Sequence, residues 1–415
     1  MNNSFARKAA LVLALAVSAA FAQAPAKSET LRPEVGKPLQ AAQDLLKAQR
    51  PKEALSRVQE ADAVPNKSAF ESYLVERMRA SAAAGAGDVP LAIKSFEAVI
   101  ASGRLEHAEL LAMTQALAGS YFRAKDYAKA IAWAARYREE GGLDAEMRVL
   151  LIQSYYFNGE FDHAAQEALS DVQASEKEGK APGEDRLQIL ANSYLKMNDA
   201  NRYAYALEKL VAYYPKKEYW SDLILRTQKK MIFADRLGID VLRLRLVTGT
   251  LAAPEDYMEL AQLSLQAGFP SEAKAVLDKG YAAGVLGKEP YADRHKRMGE
   301  LVAKQLAEDR KALAQSATAN AADKQKDGIA LVNLGYAYVT DGQFDHGLAL
   351  MERGIAKGVA DEKRPQDAKL HLGIAYYLAG KKDKAIEVFR DVRGIHGAAD
   401  IGRLWMIQAR SEAKL

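Results

Sequence analysis

A pattern of large, small and aromatic residues returns at intervals along this chain and is compatible with few folds. In its clearest copy, Leu117 and Ala118 stand just before Tyr121, and Ala130 follows. The corresponding residues of other copies are Leu151, Ile152, Tyr155 and Ala164; Leu190, Ala191, Tyr194 and Tyr203; Leu260, Ala261, Ser264 and Ala273; Leu334, Gly335, Tyr338 and Gly347; and Leu372, Gly373, Tyr376 and Ala385. Such self-similarity is the signature of a repeat architecture, in which each unit needs its neighbours to bury its apolar face.

Each copy is typical of two antiparallel helices joined by a short turn. The aromatic residue follows the small residue at i, i+3, so both lie on one face of the first helix. A small residue there lets the second helix cross closely, and the second small residue, such as Ala130, permits the same approach from the other side. Polar turns such as 158–160 and 380–382 separate the helices. We therefore predict an all-α fold in which the repeat aromatics lie buried between helices, namely Tyr121, Tyr155, Tyr338 and Tyr376.

This pattern resembles the tetratricopeptide repeat (TPR) superfamily. The resemblance implies a TPR-like α-solenoid, a right-handed superhelix of antiparallel helix pairs with a concave binding groove. Three stretches resemble more closely the periplasmic TPR proteins of Gram-negative bacteria, some of which are associated with TonB-type systems: ALEKLVAYYPKKEYWSDLI (206–224), FADRLGIDVLRLRLVTGTL (233–251) and KLHLGIAYYLAGKKDKAIEVF (369–389). The resemblance thus implies a helical-repeat scaffold or adaptor that binds protein partners, in an envelope or TonB-type complex.

The repeat pattern is interrupted in two places. Between Trp220 and Leu246 the apolar spacing stays helical but the small residues are lost, which predicts irregular packing. No repeat fits between Ala282 and Gly328, where 291–316 has the apolar stripe of one long, charged helix. The predicted organisation is a disordered segment at 23–33, an N-terminal TPR-like array at 34–282, the long non-repeat helix with a flexible linker (317–326) at 283–327, and a C-terminal TPR-like pair with a capping helix at 328–415.

Residues 1–22 have the composition of a secretory signal peptide. Arg7 and Lys8 form a positive region, an apolar run from Ala9 to Phe21 follows, and Ala20-Phe21-Ala22 matches a small-x-small cleavage site. No later apolar run approaches membrane length, so we expect a soluble periplasmic protein that does not insert into a membrane after cleavage. The formal net charge is only +4, two of those charges lie in this leader, and no basic stripe indicates nucleic-acid binding.

The sequence offers no motif for catalysis, a cofactor or a metal ion. The chain contains no cysteine, which excludes disulfides, thiolate metal sites and a cysteine nucleophile. Its histidines show no HExxH motif and no i, i+3 or i+4 pairing that would place two ligands on one helix face. They are His107, His163, His295, His346, His371 and His396. We therefore expect a protein that is not an enzyme and has no cofactor.

One row of residues indicates a binding groove. In each first helix, the residue after the repeat aromatic should face the concave side, and there an apolar side chain recurs. These candidate groove residues are Phe122, Tyr156, Leu195, Leu265, Val339 and Tyr377. Two alternatives stay open: adjoining repeats could bury the row, or the aromatic-rich segment from Tyr203 to Trp220 could stack on glycans, as in exopolysaccharide or peptidoglycan handling. An apolar row with few exposed rings favours a protein partner, and several parallel exposed rings favour a glycan; the pattern specifies neither the identity of a partner nor the oligomeric state.

Overall fold

The computed structural model describes residues 29–230, 233–314, 322–359, 364–394 and 396–413. These residues form helices joined by turns and loops, and none of them lies in a strand. The chain forms two compact units, Met1–Ala200 and Asn201–Leu415. No helix among the described residues is long and apolar enough to span a membrane.

Unit 1 is a stack of antiparallel helices in chain order. Its helices are α1 (Pro33–Lys47), α2 (Pro51–Asp62), α3 (Ala69–Ala86), α4 (Val89–Ala101), α5 (His107–Arg123), α6 (Tyr127–Glu139), α7 (Ala145–Phe157), α8 (Phe161–Lys177) and α9 (Glu184–Lys196). Each helix packs on the next one along the chain. Side-chain caps fix several starts: Ser68 and Glu71 form a capping box at α3, and Asp126 accepts from the backbone N–H of Lys129 at α6.

Unit 2 holds the remaining helices. They are α10 (Ala200–Tyr213), which begins at the boundary, α11 (Lys217–Gln228), a short 3₁₀ turn (Asp235–Leu237), α12 (Gly238–Val247), α13 (Pro254–Gln266), α14 (Pro270–Ala282), α15 (Ala292–Leu313), α16 (Ile329–Thr340), α17 (Phe344–Lys357), α18 (Arg364–Leu378), α19 (Lys382–Arg390) and α20 (Ala398–Ala413). The helix predicted at 291–316 corresponds to α15, which packs on α13 and α14.

The small residues of the repeat lie where the helices cross. Ala118 on α5 and Ala130 on α6 are both fully buried, and Tyr121 beside them is 3% exposed. At the α16–α17 crossing, a Cβ on Gly335 would lie 2.5 Å from the Gly347 carbonyl oxygen. No residue larger than glycine fits there without moving the backbone, which confirms the predicted reason for the small positions.

Three of the four repeat aromatics are buried as predicted. Tyr121, Tyr338 and Tyr376 are each at most 5% exposed. Tyr155 is only half-buried, with its ring centroid 5.1 Å from that of His163. An exposed histidine covers this tyrosine, so one side of it stays near solvent.

The segment where the small residues are lost packs against the C-terminal part of unit 2. The backbone N–H of Ala234 donates to the carbonyl of His396 over 3.1 Å. Arg236 pairs with Asp367 at 2.7 Å and Lys230 with Asp400 at 2.8 Å. Helix α12 also packs on α20, in which Ile401, Leu404 and Trp405 are buried. The helices from α11 onward therefore close on themselves within this unit.

Several predicted segments lie outside the described residues. The signal peptide at 1–22 and most of the segment 23–33 belong to the first 28 residues, and the linker predicted at 317–326 begins within the undescribed residues 315–321. The domain boundaries given above therefore stay predictions.

Candidate functional site

Unit 1 carries a cluster of five aromatic side chains at one end of its helix stack, here called the aromatic cluster. Because α5–α6 and α7–α8 are successive antiparallel pairs, their turns lie at the same end of the stack. Rings that flank these turns are therefore brought together although they come from different repeats. The members are Phe122 near the end of α5, Tyr127 at the start of α6, Tyr156 and Phe157 at the end of α7, and Phe161 at the start of α8.

The rings of the aromatic cluster touch one another mostly edge to face. Phe157 is central: its ring centroid lies 6.1 Å from that of Phe122, 5.6 Å from that of Tyr156 and 5.3 Å from that of Tyr127. The Phe122–Tyr127 and Tyr156–Phe161 pairs meet at interplanar angles of 67° and 65°. Only Tyr127 and Phe157 are stacked, at 26°. Aromatic pairs at these distances favour such offset and perpendicular arrangements, which fixes the shape of the patch.

This cluster leaves apolar surface in contact with water. Phe157 is 53% exposed, and the other four rings are half-buried. An exposed ring held rigidly among other rings can bury an apolar side chain of a partner with little loss of side-chain entropy. The cluster is thus an exposed apolar surface at one end of unit 1.

The six candidate groove residues are placed unequally. Phe122 and Tyr156 both belong to the aromatic cluster, joined through Phe157. Leu195 on α9 is 42% exposed. In unit 2, Leu265 packs half-buried against the hydrophobic core, Val339 is 2% exposed, and the Tyr377 ring lies 5.1 Å from that of Trp405. Three of these residues lie in unit 1 and three in unit 2. Their role in binding stays a prediction.

Sequence reasoning missed Tyr127, Phe157 and Phe161. A signal for two of them was present: an aromatic residue opens the second helix of several pairs, as Tyr127, Phe161 and Phe344 do. Phe157 directly follows Tyr156, a candidate groove residue. It contacts Phe122 and Tyr127 only because the α5–α6 and α7–α8 turns lie side by side. Periodicity within one repeat does not report contacts between turns.

Two of the three buried repeat tyrosines donate a hydrogen bond to a carboxylate on a neighbouring helix, whereas the Tyr338 hydroxyl donates to the backbone carbonyl of Leu313 over 2.6 Å. The Tyr121 hydroxyl donates to Glu97 on α4, and the Tyr376 hydroxyl donates to Glu352 on α17. Burial, with this hydrogen bond to a carboxylate, raises the pKa of Tyr376 to about 12. These phenols stay protonated at neutral pH, so the hydrogen bonds serve packing and offer no base.

Unit 2 contains a buried network of charged side chains. The Arg243 guanidinium donates to Glu272 through Nε (2.8 Å) and Nη2 (2.7 Å) and to Asp240 through Nη1 (2.9 Å). His371 Nε2 lies 3.1 Å from Asp240 Oδ1, and the Tyr336 hydroxyl donates to Glu272 over 3.2 Å. Burial alone would raise the pKa of Asp240, but the charges and hydrogen bonds of His371 and Arg243 lower it overall. The network links α12 to α14, α16 and α18.

A cavity of about 220 Å³ lies beside this network. Its buried wall is formed mainly by apolar side chains, and Val339 from the candidate groove residues is one of them. The buried lining residues are Arg243, Val276, Tyr336, Val339, Ile374 and Trp405. In the described part of the chain, no group of three or more His, Cys, Asp or Glu side chains could hold a metal ion.

Comparison with known proteins gives a family for two segments. Residues 187–217 and 367–396 match the tetratricopeptide repeat family. No curated protein matches the chain. Among solved structures, the chain is similar to the TPR2AB-domain:pHSP90 complex of yeast Sti1, with 12% identity, 72% of this chain and 99% of that chain covered, and a TM-score of 0.25. It is also similar to yeast Tom70, with 10% identity, 92% and 96% covered, and a TM-score of 0.26.

Two segments of the chain therefore match tetratricopeptide repeats, and the described residues of both units form an all-α, TPR-like fold of antiparallel helix pairs with small residues at their crossings.

Proposed function

We propose that the protein is a helical-repeat scaffold that binds protein partners, and that the aromatic cluster of unit 1 is a principal contact. The observation that carries this proposal is the 53% exposure of Phe157, whose ring packs against those of Phe122, Tyr127 and Tyr156. Exposed apolar patches of this kind mark interaction sites, and rigid aromatic anchors carry much of the binding energy in protein interfaces. Leu195 is a second exposed apolar residue of unit 1 that a partner could cover.

The ring geometry favours a protein over a glycan. A sugar-binding platform presents flat ring faces and hydrogen-bonding groups, whereas three of the five rings here are phenylalanines. Phe122 and Phe157 meet at 61°, and Tyr156 and Phe157 at 75°, so their faces do not form one platform. Edges and faces that alternate fit an apolar side chain or an amphipathic partner helix. Glycan binding is the second candidate, and the experiment below separates the two.

The location proposed is the periplasm, within an envelope complex such as a TonB-type system. The support for export is the leader-like sequence at 1–22, with its Arg7-Lys8 pair and its Ala20-Phe21-Ala22 site. The support for an envelope complex is the resemblance of residues 206–224, 233–251 and 369–389 to periplasmic TPR proteins. N-terminal sequencing of the protein purified from the periplasmic fraction tests export directly: the chain should begin near Gln23, and an intact Met1 would contradict it.

Site-specific photo-crosslinking in intact cells tests the contact. A benzophenone amino acid replaces Phe157 in one variant and Leu143 in a matched control. Leu143 is 84% exposed and lies in the α6–α7 turn, at the opposite end of the helix stack. We expect a discrete adduct from position 157, none of the same size from position 143, and peptides of a second protein in the adduct by mass spectrometry.

A second change ties the adduct to the aromatic cluster. Phe122→Ala removes the ring that supports Phe157 from the neighbouring repeat and should reduce the adduct at position 157 several-fold. If the adduct stays large after proteinase K treatment but becomes smaller after treatment with a glycan hydrolase, the result would favour glycan binding. Equal adducts from positions 157 and 143 would mean that the aromatic cluster is not a specific contact.

A further inference from the structure

The cavity of unit 2 separates into a closed apolar floor and an open mouth. The floor consists of buried side chains, among them Val276, Val339 and Ile374. The mouth is lined by exposed residues, and two of these are large and apolar: Phe344 is 39% exposed and Leu378 is 40% exposed. A concave pocket lined mainly by apolar side chains, with few polar groups, is the usual form of a small-molecule site.

The charged groups beside the floor are satisfied by one another. Glu272 accepts two hydrogen bonds from Arg243, one from Ser264 over 3.0 Å and one from Tyr336. Arg243 also donates to Asp240 through Nη1, and its guanidinium lies 4.7 Å from the centroid of the Tyr336 ring. A ligand therefore meets no free charge at the floor, and an apolar group fits there without leaving a buried ion unpaired.

The mouth, by contrast, carries a cation. Lys279 on α14 is an exposed lining residue, and no carboxylate is paired with it in the described part of the chain. The other exposed lysine of that helix, Lys274, is paired with Asp278 at 2.5 Å and does not line the cavity. The cavity thus has an apolar interior with one positive charge at its entrance, which complements an apolar molecule with an anionic head.

The closure of unit 2 limits the size of the ligand. Helices α12 and α20 both contribute to the cavity wall and pack on each other, and the Arg236–Asp367 pair joins the same two parts of the chain. An open solenoid offers a long groove for an extended peptide, whereas unit 2 offers a bounded cavity. A cavity of about 150 Å³ holds benzene, so ≈220 Å³ has room for about eight or nine carbon-sized atoms.

We infer that the cavity of unit 2 binds a small amphipathic anion, a medium-chain carboxylate whose apolar tail fills the floor and whose head lies beside Lys279. This inference rests on neither the protein binding proposed for unit 1 nor the periplasmic location. Octanoate has the size and charge that the cavity requires, and 1-octanol has the same tail without the charge. Both are usable as probes with the whole protein.

Isothermal titration calorimetry with octanoate and 1-octanol tests the inference on the full chain and two pairs of matched variants. A ligand of this size should bind the wild type with a Kd of about 1 mM or tighter. Ala275→Phe places a ring at the mouth and should weaken both ligands more than tenfold. Ala282→Phe makes the same change at an exposed position of α14 outside the cavity and should leave both affinities unchanged.

The second pair tests the anionic head. Lys279→Gln should weaken octanoate about two- to fivefold, the effect of losing one exposed ion pair, and should leave 1-octanol unchanged. Lys274→Gln should change neither. Circular dichroism of all four variants confirms that they are folded, since each change is at an exposed residue.

Two results would overturn the inference. One is an absence of octanoate and 1-octanol binding to the wild type up to several millimolar. The other is equal binding by the wild type and Ala275→Phe, which would place the ligand elsewhere. A third measurement separates this inference from the function proposed for unit 1. If the wild type binds neither probe and Ala275→Phe abolishes the protein adduct formed at position 157, the protein partner occupies the cavity. The inference is then wrong, and the function proposed for unit 1 stands.

Discussion

Arg243 and Glu272 form a two-pronged ion pair between helices α12 and α14, with Nε–Oε1 and Nη2–Oε2 distances of 2.8 and 2.7 Å. The Arg243 side chain is only 4% exposed. Its third donor reaches Asp240, which is 1% exposed and which also meets His371 from α18. This one guanidinium therefore connects parts of the chain that lie far apart in sequence and fixes the wall of the unit 2 cavity.

Removing this guanidinium should destabilise unit 2 strongly. Arg243→Met keeps much of the side-chain volume but leaves Glu272 buried without its main partner and Asp240 with His371 alone, which costs about 3–5 kcal/mol. Urea unfolding followed by circular dichroism measures the loss. The matched control is Arg310→Met, because Arg310 pairs with Asp341 at 2.9 Å but is 61% exposed; its loss should cost less than about 1 kcal/mol. Similar values for the two variants would contradict the structural role given to the network.

The repeat tyrosines provide a second prediction. Tyr121→Ala and Tyr376→Ala each leave a cavity at a helix crossing and should cost about 2–5 kcal/mol, as other large-to-small core changes do. Tyr205→Ala is the control, since Tyr205 is 39% exposed; it should cost less than about 1 kcal/mol. If Tyr121→Ala and Tyr376→Ala both cost less than about half a kcal/mol, the assignment of the repeat positions is wrong.

Glu71 links the stability of unit 1 to pH in the acid range. The hydrogen bond from Arg32, then the backbone N–H of Ser68, lowers the pKa of Glu71 from 4.5 to about 2. The folded state therefore holds this proton less tightly than the unfolded state, so the contribution of Glu71 is complete above pH 4.5 and is lost as pH falls towards 2.

Urea midpoints of the wild type and Glu71→Gln between pH 7 and pH 2 measure this contribution. The wild type should be the more stable at pH 7, and the difference should shrink as pH falls through that interval. Arg32→Met should reduce the same pH dependence, because Arg32 is the main cause of the lowered pKa. A constant difference between the wild type and Glu71→Gln down to pH 2 would show that the carboxylate charge is not responsible.

The helix pairs were predictable from sequence because their cause is local. The small residue and the aromatic at i, i+3, as in Ala118 and Tyr121, determine a helix crossing wherever they occur, and the structure buries both. The polar turn at 158–160 likewise separates α7 from α8, as predicted. Such signals lie within a single repeat, so periodicity alone recovers them.

The closure of unit 2 and both candidate sites depend on contacts between distant residues. Arg236 pairs with Asp367 and Asp240 meets His371, and no local pattern indicates which charged residue is the partner of which. The sequence predicted irregular packing near Leu246, but no local pattern indicated the cavity that Leu246 helps to line. Val339 was expected to face an open groove, and it lies instead on the buried wall of that cavity, because the closed helices cover it.

The predicted joint between the two arrays leads to the last prediction. Residues 317–326 have the polar, alanine-rich composition of a flexible linker, so limited proteolysis should cut first within 317–327 and produce a C-terminal fragment of about 90 residues. The structure adds an expectation about that fragment. Its Asp367, Asp400 and His371 pair with Arg236, Lys230 and Asp240 on the other side of the cut.

The cleaved protein should therefore elute from a size-exclusion column as one particle, although a denaturing gel shows two fragments. High salt screens exposed ion pairs, but the Asp240–His371 contact lies inside the unit, where Asp240 is 1% exposed. We thus expect the fragments to stay together at 0.5 M salt in the wild type and to separate in Asp240→Ala. Separation of the wild-type fragments at low salt would mean that the C-terminal helices form an independent array, and resistance of 317–327 to protease would mean that this segment is not a joint.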